Sequence, residues 1–198
     1  STSTTAAATT SSTAGTTSTA PSTTSTSTTS TITTTSTSTS TTSTTTTSTT
    51  TTTTTQPTPQ LDFGLTAYYQ EFLLNAGFQP EPWEGAAQAG GSVDVSYLGG
   101  GCTGWAAEAP DYQLTWMGSS QLLRIFFEAA NPGADTVLIV NDPQGNWVCN
   151  DDSYGTSNPS IDFNSPSEGT YDIWVSTYSG GEMIPGTLYV TELEGNHP

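Results

Sequence analysis

Thr170-Tyr171-Asp172-Ile173-Trp174-Val175-Ser176-Thr177 is the stretch on which the fold class turns. Tyr171, Ile173 and Val175 share one side of an extended chain, and Asp172, Trp174 and Ser176 share the other, so the period is 2 and the segment reads as a strand with one core face. Trp174 is the one large apolar residue on the face expected to be polar. Upstream, Leu122-Leu123-Arg124-Ile125-Phe126-Phe127 is apolar on both sides, which predicts a strand lying centrally in a sheet.

The same cadence recurs in short runs punctuated by Gly, Pro, Asn and Asp. It predicts strands over Tyr112–Trp116, Thr136–Asn141, Asn146–Cys149, Ser160–Phe163 and Thr187–Leu193, with Ser92–Val95 and part of Tyr68–Leu74 bringing the number to eight or nine. Ala67–Asn75 has apolar positions that serve a short helix or a strand, and we read it as strand. Asp142-Pro143-Gln144-Gly145 predicts a hairpin turn, with Pro fixing φ at the second position and Gly supplying freedom where the chain returns. The fold class expected is all-β: a two-layer antiparallel sandwich of jelly-roll or Greek-key type.

Composition divides the chain. Of the first 58 residues 48 are Ser or Thr, none is charged, and Ile32 is their one large apolar side chain, so no hydrophobic core can form there. Residues 59–198 carry all 18 Asp and Glu, the single cation Arg124, the single His197, both cysteines and every aromatic residue. We therefore expect a low-complexity arm over 1–60 and one domain over 61–198. From Ser22 to Thr55 only Ile32 interrupts the Ser/Thr run, a composition that resembles O-glycosylated extracellular stalks. The chain has no Asn-x-Ser/Thr acceptor, so sugars are expected to be O-linked. A disordered spacer is the plain alternative. Thr is also a good strand former, and an uncharged tract has nothing to oppose strand addition to neighbouring copies, which would make the arm an assembly element.

A net charge of −17 without a single Lys repels phosphate backbones and anionic lipid, so nucleic acid and membrane surfaces are not expected partners. No apolar run is long enough to span a bilayer, and no basic and apolar leader opens the chain, so Ser1 reads as a mature N-terminus. Such acidity suits a salty or calcium-rich exterior. Cys102 and Cys149, an even pair in an exterior setting, read as a disulfide, worth about 4 kcal/mol in the chain-entropy model for a loop of about 48 residues.

Ala89-Gly90-Gly91-Ser92, Gly100-Gly101-Cys102-Thr103-Gly104, Ala109-Pro110-Asp111-Tyr112-Gln113-Leu114, Asp135-Thr136-Val137-Leu138, Trp147-Val148-Cys149-Asn150-Asp151-Asp152, Asn158-Pro159 and Gly169-Thr170-Tyr171-Asp172-Ile173-Trp174-Val175 together resemble bacterial pre-peptidase C-terminal (PPC-like) domains over about residues 76 to 194. The resemblance implies a secreted, non-catalytic β-sandwich of a kind commonly appended to extracellular hydrolases, some members of which bind calcium and help to target the parent protein. No hydrolase lies within these 198 residues, so fold and compartment are what the resemblance carries over.

Catalysis is not expected. A Ser/His/Asp device would need His197, next to the last residue of the sequence, and a thiol nucleophile would need one of the paired cysteines. Eighteen acids always contain some pair at glycosidase spacing, so composition is silent there. The loop Asn150–Asn158, with Asp142 in the preceding turn, offers Asp142, Asn150, Asp151, Asp152 and Asn158 as hard oxygen ligands for Ca²⁺. The alternative is that these side chains cap their own turns. Trp83, Trp105, Trp116, Trp147 and Trp174, with Tyr97, Tyr154 and Tyr178, are candidates for a sugar-stacking platform, with core or subunit contact as the alternative. The function expected is a secreted or cell-surface structural protein, non-catalytic, assembling with copies of itself into a glycosylated filament or layer. The competing function is a binding module for calcium, an extracellular polysaccharide or both.

Overall fold

The computed structural model describes residues 58–198, and the expectations placed on the Ser/Thr arm fall outside the described residues. Eleven strands and one 3-10 turn form two sheets. In chain order they are β1 (Gln70–Asn75), β2 (Trp83–Ala89), β3 (Val93–Asp94), η1 (Val95–Leu98), β4 (Trp105–Ala106), β5 (Tyr112–Met117), β6 (Leu122–Ala129), β7 (Thr136–Asn141), β8 (Trp147–Asn150), β9 (Ser160–Asn164), β10 (Gly169–Thr177) and β11 (Ile184–Thr191).

The seven-stranded sheet is organised around β10. One side of β10 pairs with β7, which continues to β8; the other side pairs first with β5 and then, at Thr177, with β4. β1 lies beyond β5 and β3 beyond β4. The second sheet has the order β2-β11-β6-β9 and is antiparallel throughout. The expected sandwich is thus present, with one departure: β1 runs parallel to β5. The chain leaves β1 for β2 in the opposite sheet and returns through β3 and β4 before laying down β5, and this crossover is what permits a parallel neighbour.

Between the sheets lies the main core, with Leu114, Trp116, Leu138, Tyr171, Ile173 and Val175 on one side and Leu123, Ile125, Phe127, Leu188 and Val190 on the other. A second core covers the outer face of the larger sheet, where Val137, Ile139 and Trp174 pack beneath Leu61, Val93, Val95 and Cys102. Trp174 is therefore fully buried, and both faces of β10 are covered. The expectation of a single buried face misses this second layer, which is made by the segment at Leu61, the short β3 and η1, and the Cys102 loop, and not by a third sheet. Cys102 and Cys149 pin it: their Cα atoms are 5.3 Å apart and they form the expected disulfide across a sequence separation of 47.

β6 is an interior strand, as its two apolar faces imply. Phe126 on its outer face stacks on Tyr189 at 4.7 Å. Arg124, 4 % exposed, pairs with Asp162 and donates to the carbonyls of Glu194 and Asn196, which ties the C-terminal residues over this sheet. The Asp142–Gly145 turn joins β7 to β8 as expected; Gly145 N donates to Asp142 O at 2.8 Å and adopts φ +80°. The expected strand over Ser92–Val95 shortens to β3, because the Asp94 carboxylate accepts from Ser96 N and starts a 3-10 turn. β2 and β4 were not anticipated.

Candidate functional site

The proposed calcium ligands separate. Asp142 lies at the turn of the β7–β8 hairpin, whereas Asn150 pairs with Leu138 at the opposite end of it, roughly 13 Å away at strand rise. The set of five therefore does not converge on one ion. Asp142 Oδ1 accepts from Gln144 N and Asn146 N, and Asn146 Nδ2 donates to both oxygens, so this carboxylate caps its own turn. Asn150 Oδ1 accepts from Ser153 Oγ and Ser160 N, and Asn158 Oδ1 accepts from Ala129 N at 3.0 Å, so both amides organise the loop. Asp151 and Asp152 remain; with burial, their negative charge pushes the Asp135 carboxyl above its ordinary value. Among the described residues no group of three or more His, Cys, Asp or Glu is arranged to hold a metal.

The proposed aromatic platform also disperses. Trp116 and Trp174 are fully buried in different cores, and Trp147 packs against Trp174 at 5.2 Å. Tyr97 accepts from Leu61 N, which fastens the chain entering the domain. Tyr154, held at φ +52°, stacks on His197 at 4.0 Å with Arg124 5.1 Å from its ring. The imidazole is thus stacked on a phenol ring, and its Nδ1 lies 3.2 Å from its neighbour's carbonyl, Pro198 O.

A different aromatic group does converge, along the side of the sandwich where the edge strands β1 and β2 lie over one another. Phe72 stacks on Trp83 at 3.9 Å, and Tyr69 stacks on Tyr112 at 5.3 Å, with Tyr68 edge-on to Tyr69 at 4.8 Å. Two outward backbone groups of β2 are spent on this cluster: Gln88 N donates to Tyr69 Oη, and Tyr112 Oη donates to Ala86 O. These two contacts cover a sheet edge that would otherwise be open to pairing.

Beside the tyrosines is a cleft of about 240 Å³ whose lining includes Tyr68, Tyr69, Gln88, Gly90, Met183 and Asp111. Its geometry follows from a gap in the larger sheet. β5 pairs with β10 as far as Ile173 and β4 pairs only at Thr177, so Val175 faces no strand on that side. Asp111 Oδ2 accepts from Val175 N at 2.8 Å, and Gly90 N donates to Val175 O at 3.1 Å, so a side chain and a loop stand in for the missing strand. Gly90 sits at φ +130° against the Glu182 carbonyl, where a Cβ would collide with backbone.

Asp111 is 4 % exposed. Burial pushes its carboxyl up to about 7, against the downward pull of the Val175 N–H. Tyr112 is pushed up to about 12, by burial first and then by Tyr69 and Asp111. Tyr69 is raised too, chiefly by burial. The cleft thus combines exposed phenol rings, a thioether and a single carboxyl at its base that changes charge near neutral pH. Sequence reading passed over Tyr68, Tyr69 and Asp111 as functional residues. The tandem Tyr68-Tyr69 ahead of an amphipathic run was the available signal; the role of Asp111 depends on a strand gap that no spacing announces.

No protein-family model matches the chain, and no curated protein matches it.

Proposed function

We propose that this protein is a non-catalytic extracellular structural domain that assembles with copies of itself into a filament or surface layer, the Ser/Thr arm carrying O-linked glycans. The observation that carries the reading is the open edge at β1. Ala76 N donates to Met117 O, which continues the parallel ladder and turns the amides of even-numbered residues toward β5. Those of Glu71, Leu73 and Asn75 face away, and Leu73 is 52 % exposed. β2 carries two tyrosine hydroxyls on its outer edge; among the described residues β1 has no such cover, and it can accept a strand from a neighbour.

Charge supports the same reading. Every carboxylate of the chain is in residues 59–198, so two domains repel each other, whereas Ser22–Thr55 is uncharged and approaches a second domain without that cost. The disulfide fits an oxidising exterior, and no described helix is long and apolar enough to cross a membrane. The resemblance of the Asp135–Leu138, Asp151-Asp152 and Gly169–Val175 elements to PPC-like domains supports a secreted module as well.

The test compares the full chain with a chain lacking residues 1–58, and with Leu73→Lys, by electron microscopy and sedimentation. Regular filaments from the full chain, lost in the truncation and weakened in Leu73→Lys, are expected. Filaments that survive the truncation, or a full chain that stays monodisperse, would overturn the proposal. A calcium-binding module is the second reading, favoured by Asp135, whose carboxyl is raised by burial and then by the charges of Asp152 and Asp151. Calorimetry with millimolar Ca²⁺ decides it, since a true site gives heat that Asp151→Asn removes.

A further inference from the structure

The Asp111 carboxyl uses half of its capacity. Oδ2 accepts from Val175 N; among the described residues nothing donates to Oδ1, although the residue is buried and lines the cleft. Burial and the Val175 N–H are what act on it, and the ionisable groups that it raises in turn are the phenols Tyr69 and Tyr112, so among the described residues no cation faces this carboxylate. A buried carboxylate without a cation is costly, and a ligand that brings one recovers that cost.

Ring faces beside the carboxyl select for the same chemistry. Tyr68 is 74 % exposed, and with Tyr69 and Met183 it offers aromatic and thioether surface to an alkyl stem and π-density to a cationic head. About 240 Å³ accommodates one side-chain tip and not a run of sugar rings. A neutral hydroxyl could donate to Oδ1, but it would leave the negative charge of the carboxylate uncompensated. The field of a chain of net charge −17 draws cations toward the mouth.

We propose that the cleft captures a primary ammonium or guanidinium side chain of a basic partner polypeptide, the cation on Asp111 Oδ1 and its stem between Tyr68, Tyr69 and Met183. A second copy cannot supply that side chain. The sequence has one Lys or Arg in 198 residues, and Arg124 is buried on Asp162. The inference therefore goes beyond self-assembly, and either can fail without the other.

The test titrates the full chain with n-butylammonium chloride at constant ionic strength, read by amide shifts at Gln88, Gly90 and Gly91 and by calorimetry, with n-butanol and cellotetraose as uncharged probes. The expected result is saturable ammonium binding confined to these amides, tightening about tenfold from pH 6 to pH 8 as the carboxyl with a folded value near 7 ionises. Asp111→Asn, which keeps an acceptor for Val175 N, should abolish that binding, and Tyr68→Ala should weaken it several-fold. Should Asp111→Asn fail to fold, the pH ratio and Tyr68→Ala decide alone. Equal binding of n-butanol, an unchanged response in Asp111→Asn, or shifts with cellotetraose but not with ammonium would each overturn the proposal. The last of these would make the cleft a sugar site.

Discussion

Replacing Asp111 by Asn should make the folded protein more stable at pH 8 while leaving it nearly unchanged at pH 4. The carboxyl has an ordinary value of 3.8 when the chain is unfolded and about 7 when folded. A folded value above the unfolded one means that the native state binds the proton more tightly, so the stabilising contribution is complete below about pH 4 and is lost as pH rises through about 7. Each pH unit in that window is worth about 1.4 kcal/mol, so the full loss is at most about 4 kcal/mol, reduced by whatever water reaches Oδ1. Asn carries no charge at any of these pH values and can still accept from Val175 N, so the ladder gap stays filled. The assay is urea denaturation of both proteins at intervals from pH 4 to pH 8. Asp135 and Asp172 are raised as well, chiefly by burial, and add the same slope to both proteins, so the difference between the two isolates Asp111. A difference that does not grow with pH, or one that grows in favour of the wild type, would refute the reasoning that Asp111 is buried without a cation.

Two further outcomes follow from the packing. Reducing the Cys102–Cys149 disulfide, or replacing both residues by Ser, should cost about 4 kcal/mol in urea denaturation, the chain-entropy value for its loop, with the fluorescence of Trp147 and Trp174 changing first because the bridge closes their core. Arg124→Ala should cost about 2 kcal/mol by removing charged donors from Asp162, Glu194 O and Asn196 O, and hydrogen exchange should show residues 193–198 losing protection while β7 and β10 keep theirs.

Alternation along Thr170–Thr177 and the doubly apolar run at Leu122–Phe127 were sufficient for the sandwich, because period and hydrophobicity are local properties that survive into the fold. The disulfide was legible for a related reason: two cysteines allow one pairing. Less local features were not. β2, Trp-Glu-Gly-Ala-Ala-Gln-Ala, has small and polar residues where a strand normally advertises itself with branched ones, and it becomes a strand by pairing with β11 along seven residues. The glycine within it leaves room that Trp83 and the Tyr112 ring occupy. β1 reads as a strand, but its parallel partner is fixed by a crossover, which no alternation records. The second core was hidden because its cover consists of single residues from separate short segments, Leu61, Val93 of β3, Val95 of η1 and Cys102.

Site residues were harder for a physical reason. Asp and Asn in a loop satisfy backbone donors as readily as they bind ions, and here Asp142, Asn150 and Asn158 do the former. Their spacing in sequence was short, but the hairpin carries Asp142 away from the others. Asp111 gave no sign in composition, being one of 18 acids; it is distinguished by a gap between β5 and β4 that leaves Val175 N without a strand partner and to be met by its carboxylate.

The layout of charge gives the two proposals, self-assembly at β1 and cation capture in the cleft, different dependences on salt. At β1 the side chains accompanying the open edge include one carboxylate, Glu71, beside Leu73 and Asn75, so pairing there turns on backbone groups and apolar contact, and copy-to-copy repulsion is the term that opposes it. Salt with a Debye length near 8 Å screens that repulsion and so favours association at β1. The cleft has the opposite dependence at its mouth, since the long-range field that gathers a cation is itself screened. Its short contact with Asp111 is screened far less, because the carboxylate is buried and the captured cation itself fills the cleft above it. Under the two proposals, rising salt therefore favours the pairing of like chains and slows the capture of a basic partner, while pH near 7 acts on the second process through Asp111 and leaves the backbone pairing at β1 untouched.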